Sequence, residues 1–130
     1  MKVERFEDLE IWKEARSLCK FISEITEKDP FYKDYKLRDQ IRSSSGSIMD
    51  NIAEGFERDG NKELIQFLSV SKGSCGECRS QSYRAFDYKY VEEDILEELI
   101  SRTTLLSKKI SSFITYLKRS EFKGSKYSKP

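Results

Sequence analysis

The residues between Glu92 and Arg119 carry the clearest structural signal in the chain. Their inward-facing positions step by four, four, three, four, three and four residues, and they are Ile95, Leu99, Thr103, Leu106, Ile110, Phe113 and Leu117. This heptad-like spacing places every member on one side of an α-helix. Acidic residues at the start of the segment and basic residues at its end match the helix dipole. The segment is therefore predicted to be a long helix that buries one face against other helices.

Three further segments show helical periodicity, at about residues 7–28, 36–58 and 62–88. Pro30 ends the first, since proline cannot donate a helix hydrogen bond and disfavours helical geometry in the residue before it. Asp59-Gly60 indicates a turn, and Asn61 is predicted to cap the next helix. The chain has only 2 prolines and 6 glycines, which favours long helices over many short strands. These patterns predict an all-α fold, an antiparallel up-down-up-down four-helix bundle over residues 1–119.

Residues 120–130 show no apolar stripe and contain three lysines against one acidic residue. Such a segment is predicted to be a flexible basic tail outside the bundle. Its aromatic residues, Phe122 and Tyr127, could contact RNA bases.

Small residues occupy the centre of the second and third segments. Positions 43–47 read Ser-Ser-Ser-Gly-Ser, and positions 71–76 read Ser-Lys-Gly-Ser-Cys-Gly. Glycine inside a helix costs about 1 kcal/mol relative to alanine, so this composition usually serves the close approach of a neighbouring helix. We predict that the two zones face each other, with residues 44–46 close to Gly73, Ser74 and Gly76.

The chain contains no histidine. This excludes the Glu-x-x-His pairs of di-iron bundles and the Ser-His and Cys-His nucleophile arrangements. Cys75 and Cys78 form a Cys-x-x-Cys sequence, but a tetrahedral zinc site needs two further ligands, and only Cys19 remains among the thiols. Their position in mid-helix favours core packing over a redox or metal role. We therefore predict no metal, no cofactor and no catalytic residues.

Five charged residues near the apolar stripes could be read as a catalytic cluster: Asp39, Arg42, Asp50, Glu54 and Glu77. A set of inter-helix hydrogen bonds or ion pairs that fix the register is the commoner role of such residues. Arg42 and Glu54 are predicted to be partly buried, and a buried charge requires a partner.

The first eight residues lack the apolar core of a signal peptide, and no run of 18 apolar residues occurs. An odd number of cysteines, three, fits a reducing compartment better than a disulfide framework. The protein is predicted to be cytoplasmic and independent of membranes.

Lys and Arg total 24 against 23 Asp and Glu, so any attraction to nucleic acid must come from local patches or from an assembly. The candidate contacts are basic residues of the third and fourth segments: Lys72, Arg79, Lys108, Lys109, Lys118 and Arg119. Solvated charges on exposed helix faces are an equally ordinary explanation, and both interpretations stay open at this point.

Several motifs, taken together, resemble the 23S rRNA intervening sequence protein family over about residues 5–118. These are Phe6-Glu-Asp-Leu9 with Trp12, Asp39-Gln-Ile-Arg42 with the serines at 43–47, Asn51-Ile-Ala-Glu-Gly55, Lys62-Glu63 with Phe67-Leu68, and Gly73-Ser74 with Glu77. The family usually has leucine at the positions of the two mid-helix cysteines, which supports their assignment to the core.

The resemblance implies an antiparallel bundle that assembles as a homopentamer and has no enzymatic activity. The family is also similar to the accessory protein of diversity-generating retroelements, a pentamer that partners a reverse transcriptase and nucleic acid. We therefore expect a non-enzymatic oligomer that binds RNA or a ribonucleoprotein; the alternative is a protein-only scaffold. The residues expected to fix the register or the subunit interface are Asp39, Arg42, Asn51, Glu54, Gly55, Gly73 and Glu77.

Overall fold

The computed structural model describes residues 3–120, which form four α-helices: α1 (Glu10–Thr26), α2 (Tyr35–Glu57), α3 (Asn61–Asp87) and α4 (Glu93–Arg119). Short 3-10 turns at Phe6–Asp8 and Phe31–Lys33 precede α1 and α2. No β-strand occurs within the described residues. The all-α prediction is confirmed, and each helix begins and ends within three residues of its predicted bounds. The predicted basic tail, from residue 121 onward, lies outside the described residues.

Successive helices run antiparallel, because the residues that hydrogen-bond between them pair in reverse order, from α1–α2 and α2–α3 to α3–α4. The Asn61 side chain at the start of α3 donates to the carbonyl of Leu117 at the end of α4 (3.0 Å). Further along, Arg79 Nη1 of α3 donates to Thr104 Oγ1 of α4 (3.3 Å). Contacts are extensive between α2 and α3 and between α3 and α4, and much sparser between α1 and α4. The bundle therefore has one open side, along the α1–α4 seam.

The core is apolar and continuous through all four helices. Six of the seven seam positions in α4 are buried, and the seventh, Ile95, is partly buried. Cys75 and Cys78 are fully buried among them, as the sequence predicted. Burial of this apolar face is what stabilises the long helices, because helix propensity alone is weak.

The start of α3 differs from the prediction. Gly60, with a φ of 112°, holds the N-cap position of α3, and no side chain caps this helix start. The predicted cap, Asn61, is the first helical residue, and its amide instead bonds to the end of α4. A positive φ favours glycine, which explains why the turn places Gly60 where a side-chain cap was expected.

Asp34 caps α2 and ties it to the α3–α4 connection. Its Oδ1 accepts from the backbone N–H of Leu37 (3.0 Å), and its Oδ2 accepts from the hydroxyl of Tyr90 (2.8 Å). The Leu37 N–H and the Tyr90 hydroxyl, in that order, lower the pKa of the Asp34 carboxyl below its ordinary value of 3.8. The carboxylate therefore joins both helix connections at one end of the bundle.

Replacing Asp34 with alanine is expected to lower the free energy of unfolding by about 1–2 kcal/mol at pH 7, through loss of the cap and of the Tyr90 bond. A group with a lowered pKa in the folded state stabilises above its unfolded pKa, and this stabilisation is lost as the pH falls through the folded pKa. Urea unfolding of wild type and Asp34→Ala should therefore show a difference that shrinks below about pH 4. Tyr90→Phe is the control: it removes only the hydroxyl bond to Asp34 and should lower the free energy of unfolding by less. A stability difference between wild type and Asp34→Ala that stays constant with pH would contradict this role of the carboxylate.

Candidate nucleic-acid interface

The two small-residue zones meet across the α2–α3 contact, as predicted, and hydrogen bonds join them. Ser71 Oγ of α3 donates to the carbonyl of Ile48 in α2 (2.7 Å), and Ser74 Oγ donates to Ser47 Oγ (3.0 Å). One turn closer to the N-terminus of α2, Ser44 Oγ donates to Gln81 Oε1 of α3 (2.6 Å). The serines therefore join α2 to α3 within the core.

The glycines behave differently from the prediction. A Cβ atom added at Gly46, Gly73 or Gly76 would meet nothing within 4 Å, so none of these glycines lies in a close helix contact of the single chain. Close approach occurs instead at Gly55, where a Cβ would lie 2.7 Å from Phe67 Cβ and 3.1 Å from Leu64 Cδ1 of α3. The tight contact is about two to three helix turns away from the glycines that predicted it.

The polar motif residues mostly make local contacts. Asp39 and Glu54 are exposed and pair with their neighbours on α2, Asp39 with Arg38 and Glu54 with Arg58. The prediction that Glu54 is partly buried is therefore wrong. The Asn51 amide likewise bonds within α2, to the carbonyl and hydroxyl of Ser47.

Glu77 follows the same pattern: it is exposed and accepts from Gln81 one turn along α3 (3.4 Å). Gly73 is exposed and makes no close contact. Neither residue fixes the α2–α3 register within one chain, so the predicted registering role falls to the buried serines.

Arg42 alone among the charged motif residues joins two helices. It is partly buried, and its Nε donates to Thr26 Oγ1 at the end of α1 (2.8 Å). The Thr26 hydroxyl in turn donates to the carbonyl of Ile22 (2.7 Å). Arg42 Nη2 is buried and has no hydrogen-bond partner among residues 3–120. Arg42 therefore sets the α1–α2 contact rather than the α2–α3 contact.

Burial makes both mid-helix cysteines, Cys75 and Cys78, poorly reactive. Burial raises the pKa of Cys75 to about 12 and that of Cys78 to about 12, against an ordinary value of 9.0. The thiolate is the reactive form of cysteine, so at neutral pH neither sulfur is a good nucleophile or metal ligand. Within residues 3–120, no group of three or more His, Cys, Asp or Glu side chains is arranged to hold a metal ion.

Four of the six candidate RNA contacts are exposed: Lys72, Lys108, Lys118 and Arg119. No ion pair within the described residues involves any of them. Because Asn61 lies level with Leu117 and Arg79 level with Thr104, Lys72 lies at about the level of Lys108. The structure therefore brings two of the candidates to one level of the α3–α4 pair and two to the end of α4.

The other two candidates are engaged within the fold. Lys109 Nζ lies 2.7 Å from Glu14 Oε2 and bridges the α1–α4 seam, and this hydrogen bond raises the pKa of Lys109. Arg79 is partly buried and bonds to Thr104. Their charges are therefore less available to an external phosphate than those of the four exposed residues.

The charges of α4 and its N-cap are segregated along the helix. Residues 92–98 contain five acidic and no basic residues, whereas residues 99–119 contain five basic and no acidic residues. The basic part includes Lys108, Lys118 and Arg119, and its surface positions otherwise carry mainly hydroxyl groups, among them Ser111, Ser112 and Thr115. Residues 108–119, the basic half of α4, are a local patch of the kind that a near-neutral chain needs to attract an anion.

A cleft of about 300 Å³ opens at the α1–α4 seam beside this patch. It is lined by Leu9, Glu10, Ile11, Lys108, Lys109, Ser112 and Phe113. Leu9, Ile11 and Phe113 form its apolar part, and each of them is largely buried. Lys108 and Lys109 lie on its α4 side and Glu10 on its α1 side, so the positive surface of α4 ends at this cleft.

A group of exposed aromatic residues lies at the other end of the bundle, where the α1–α2 connection meets the start of α2. Tyr32 and Tyr35 are exposed, and the Arg38 guanidinium lies 4.7 Å and 4.9 Å from their ring centroids. The available signal was a pair of tyrosines followed at i+3 from the second by an arginine, on a helix start where no core position requires them. This Tyr-Arg stack (Tyr32, Tyr35, Arg38) is the exposed feature that sequence reasoning missed.

The chain is thus an antiparallel four-helix bundle in which serine hydrogen bonds join α2 to α3 and one part of α4 is basic. Residues 7–112 match the family of 23S rRNA-intervening sequence proteins, and the chain belongs to that family.

One solved structure with the same fold is described as a protein with unknown function from the S23 ribosomal protein family of Bacteroides thetaiotaomicron VPI-5482. It is 18% identical in sequence, with a TM-score of 0.74, and the alignment covers 80% of this chain and 97% of that one. None of the curated proteins matches this sequence. None of the helices among the described residues is both long enough and apolar enough to cross a membrane.

Proposed function

We propose that this chain is a non-enzymatic, cytoplasmic scaffold that assembles with copies of itself, as a homopentamer, and binds RNA or a ribonucleoprotein. The observation that carries the RNA-binding part is the basic half of α4, where Lys108, Lys118 and Arg119 are exposed and lack ion-pair partners among the described residues. Membership in a family named for an rRNA insert supports the same choice of ligand.

Self-assembly is supported by the three open glycines. Gly46, Gly73 and Gly76 each weaken an isolated helix by about 1 kcal/mol relative to alanine. Nothing in the single chain approaches any of them within 4 Å of an added Cβ, so the fold gains no packing from their small size. A helix of a second copy that packs against α2 or α3 at these positions would use the space that they leave open.

Assembly would also multiply a weak electrostatic patch. Each chain is close to neutral, with a formal net charge of +1. Five copies would repeat the basic half of α4 around the assembly and raise the local concentration of cations without changing the net charge per chain. Local potential rather than net charge governs the attraction of a phosphate backbone.

A filter-binding titration with a structured RNA across a range of salt concentrations tests the proposal. Reversing two exposed charges, in a Lys72→Glu/Lys108→Glu variant, is expected to weaken binding at least about tenfold at low salt. The same variant should reduce the slope of log affinity against log salt by about 1–2, since each lost phosphate contact removes about 0.7–0.9. Sedimentation equilibrium on the same samples should give the mass of five chains.

Lys20→Glu is the matched control, because Lys20 is an exposed lysine on α1 with no ion pair among the described residues. It should leave the affinity within about twofold. Negligible affinity of the wild-type assembly at low salt would overturn RNA binding, and a monomeric mass would overturn the assembly.

The second candidate function is a protein-only scaffold. The acidic start of α4, residues 92–98, favours it, because five acidic residues within about two helix turns repel a phosphate backbone. In that case both charge-reversal variants should behave alike, and RNA should not bind at any salt concentration.

A further inference from the structure

The Tyr-Arg stack is a compact and ordered surface where the α1–α2 connection meets the start of α2. Arg38 lies against the rings of both Tyr32 and Tyr35. Its Nη1 donates to the carbonyl of Tyr32 (3.3 Å), and its Nε donates to Asp39 Oδ1 (2.9 Å). Only 16% of the arginine side chain is exposed, so the guanidinium is largely covered by its neighbours.

The α1–α2 connection, which carries these rings, is held in place by buried and hydrogen-bonded residues. Phe31 is fully buried and stacks on Tyr90, with ring centroids 5.1 Å apart. The hydroxyl of Tyr90 is held by Asp34, which also caps α2. The exposed rings therefore stand on a rigid base, and a ligand that stacks on them would lose little side-chain entropy from the protein.

Both tyrosines nevertheless remain open to solvent. Tyr32 is 43% exposed and Tyr35 is 62% exposed. The guanidinium covers part of each ring, and no helix of the bundle covers the remainder. Lys28 and Lys36 flank the stack, are exposed, and form no ion pair with any described residue. The surface thus combines aromatic faces with two exposed lysines nearby, of which Lys36 also interacts with the Asp34 carboxylate.

We propose that the Tyr-Arg stack binds unpaired bases of RNA, with the tyrosine rings stacking on the bases and Lys28 and Lys36 contacting the flanking phosphates. Every base has a π-face, so stacking on aromatic rings combined with nearby cations is a general means of holding a single strand. This inference rests on the proposed RNA-binding function and extends it from phosphate contacts on α4 to base contacts at the end of the bundle.

The charges around the stack indicate the path of the strand. The acidic start of α4, residues 92–98, lies at the same end of the bundle and repels phosphates. Tyr88, a third exposed tyrosine at this end, packs edge-on against Tyr90 and lies four residues before those acidic residues in the chain. The strand is therefore expected to pass over the α1–α2 connection and to leave Tyr88 uncovered.

The test compares variants by fluorescence anisotropy with a labelled single-stranded RNA of about 12 nucleotides and with a duplex of the same length. In the assembled protein, Tyr32→Leu/Tyr35→Leu should weaken single-strand binding by at least roughly 5- to 100-fold, which is the range expected for one lost stacking contact. Tyr32→Phe/Tyr35→Phe keeps both rings and should bind within about twofold of wild type. Duplex affinity should change little in either variant.

Tyr83→Leu is the matched control, since Tyr83 is 47% exposed on α3 and lies outside the stack. It should bind both RNAs as wild type does, and circular dichroism should show the same helix content in all variants. Equal single-strand affinity of wild type and the double leucine variant, with charge reversal on α3 and α4 still harmful, would overturn the base-stacking site alone. Failure of wild type to bind either RNA would overturn both this inference and the proposed function.

Discussion

A Ser45→Leu variant is expected to lose about 2–4 kcal/mol of unfolding free energy, from overpacking of the core and loss of a buried hydrogen bond. Ser45 is fully buried in α2. Its hydroxyl donates to the carbonyl of Arg42 (3.1 Å) and lies 3.7 Å from the Cys19 thiol of α1, which donates to it. A leucine side chain would have to displace α1 from α2, because interiors are packed too densely to absorb its additional volume.

Urea unfolding followed by circular dichroism measures this loss. Ser43→Leu is the matched control, since Ser43 is the same residue type two positions away and is exposed. It should change stability by no more than about 0.5 kcal/mol. Equal stability of the two leucine variants would show that the helix packing does not require a small residue at Ser45.

A Gly55→Ala variant is expected to lose about 1–3 kcal/mol, although alanine is the better helix former. The added Cβ would lie 2.7 Å from Phe67 Cβ, a separation that real contacts do not show, and 3.1 Å from Leu64 Cδ1. Since Phe67 Cβ is fixed to the α3 backbone, α2 and α3 would have to move apart. The widened gap would weaken the serine hydrogen bonds across the same contact.

Gly73→Ala provides the opposite control in the same pair of helices. Nothing lies within 4 Å of a Cβ at this position, so the substitution should stabilise the single chain by about 0.4–1 kcal/mol. Thermal unfolding of the two variants side by side, at a dilution where sedimentation shows single chains, should shift the midpoint in opposite directions, because no partner helix then occupies the space at Gly73. A loss at Gly73 as large as that at Gly55 would contradict the placement of the close contact.

Helix periodicity predicted the elements well because core burial acts on the same residues that define the period. The stripe from Leu99 to Leu117 is buried as expected, and the ends of α4 carry the charges that the dipole favours. Where a helix start depended on backbone conformation, the prediction was less accurate. Asn61 has a side chain suited to capping, but the positive φ of Gly60 makes Gly60 the N-cap residue. A backbone angle of this kind cannot be predicted from the local composition.

The candidate site was predicted less well than the fold. Lys109 and Lys108 are neighbours in sequence, yet Lys109 is paired with Glu14, a residue 95 positions away in the chain, while Lys108 is exposed. A pairing of this kind follows from which helices become adjacent, and single-sequence patterns do not contain it. For the same reason Glu54, placed near an apolar stripe, was predicted to be partly buried but faces solvent.

Sequence patterns alone were enough to predict the number, the approximate bounds and the buried faces of the four helices, and the family motifs along them. These properties are local, because they depend on residues three and four positions apart on one helix. The packing of the helices, in contrast, selects which small residue is in a tight contact, and that residue is Gly55 rather than Gly46, Gly73 or Gly76. This packing also decides which cations are neutralised within the bundle and that Tyr32 and Tyr35 stand exposed around Arg38. These properties depend on distances between helices, which the packing of the whole core sets.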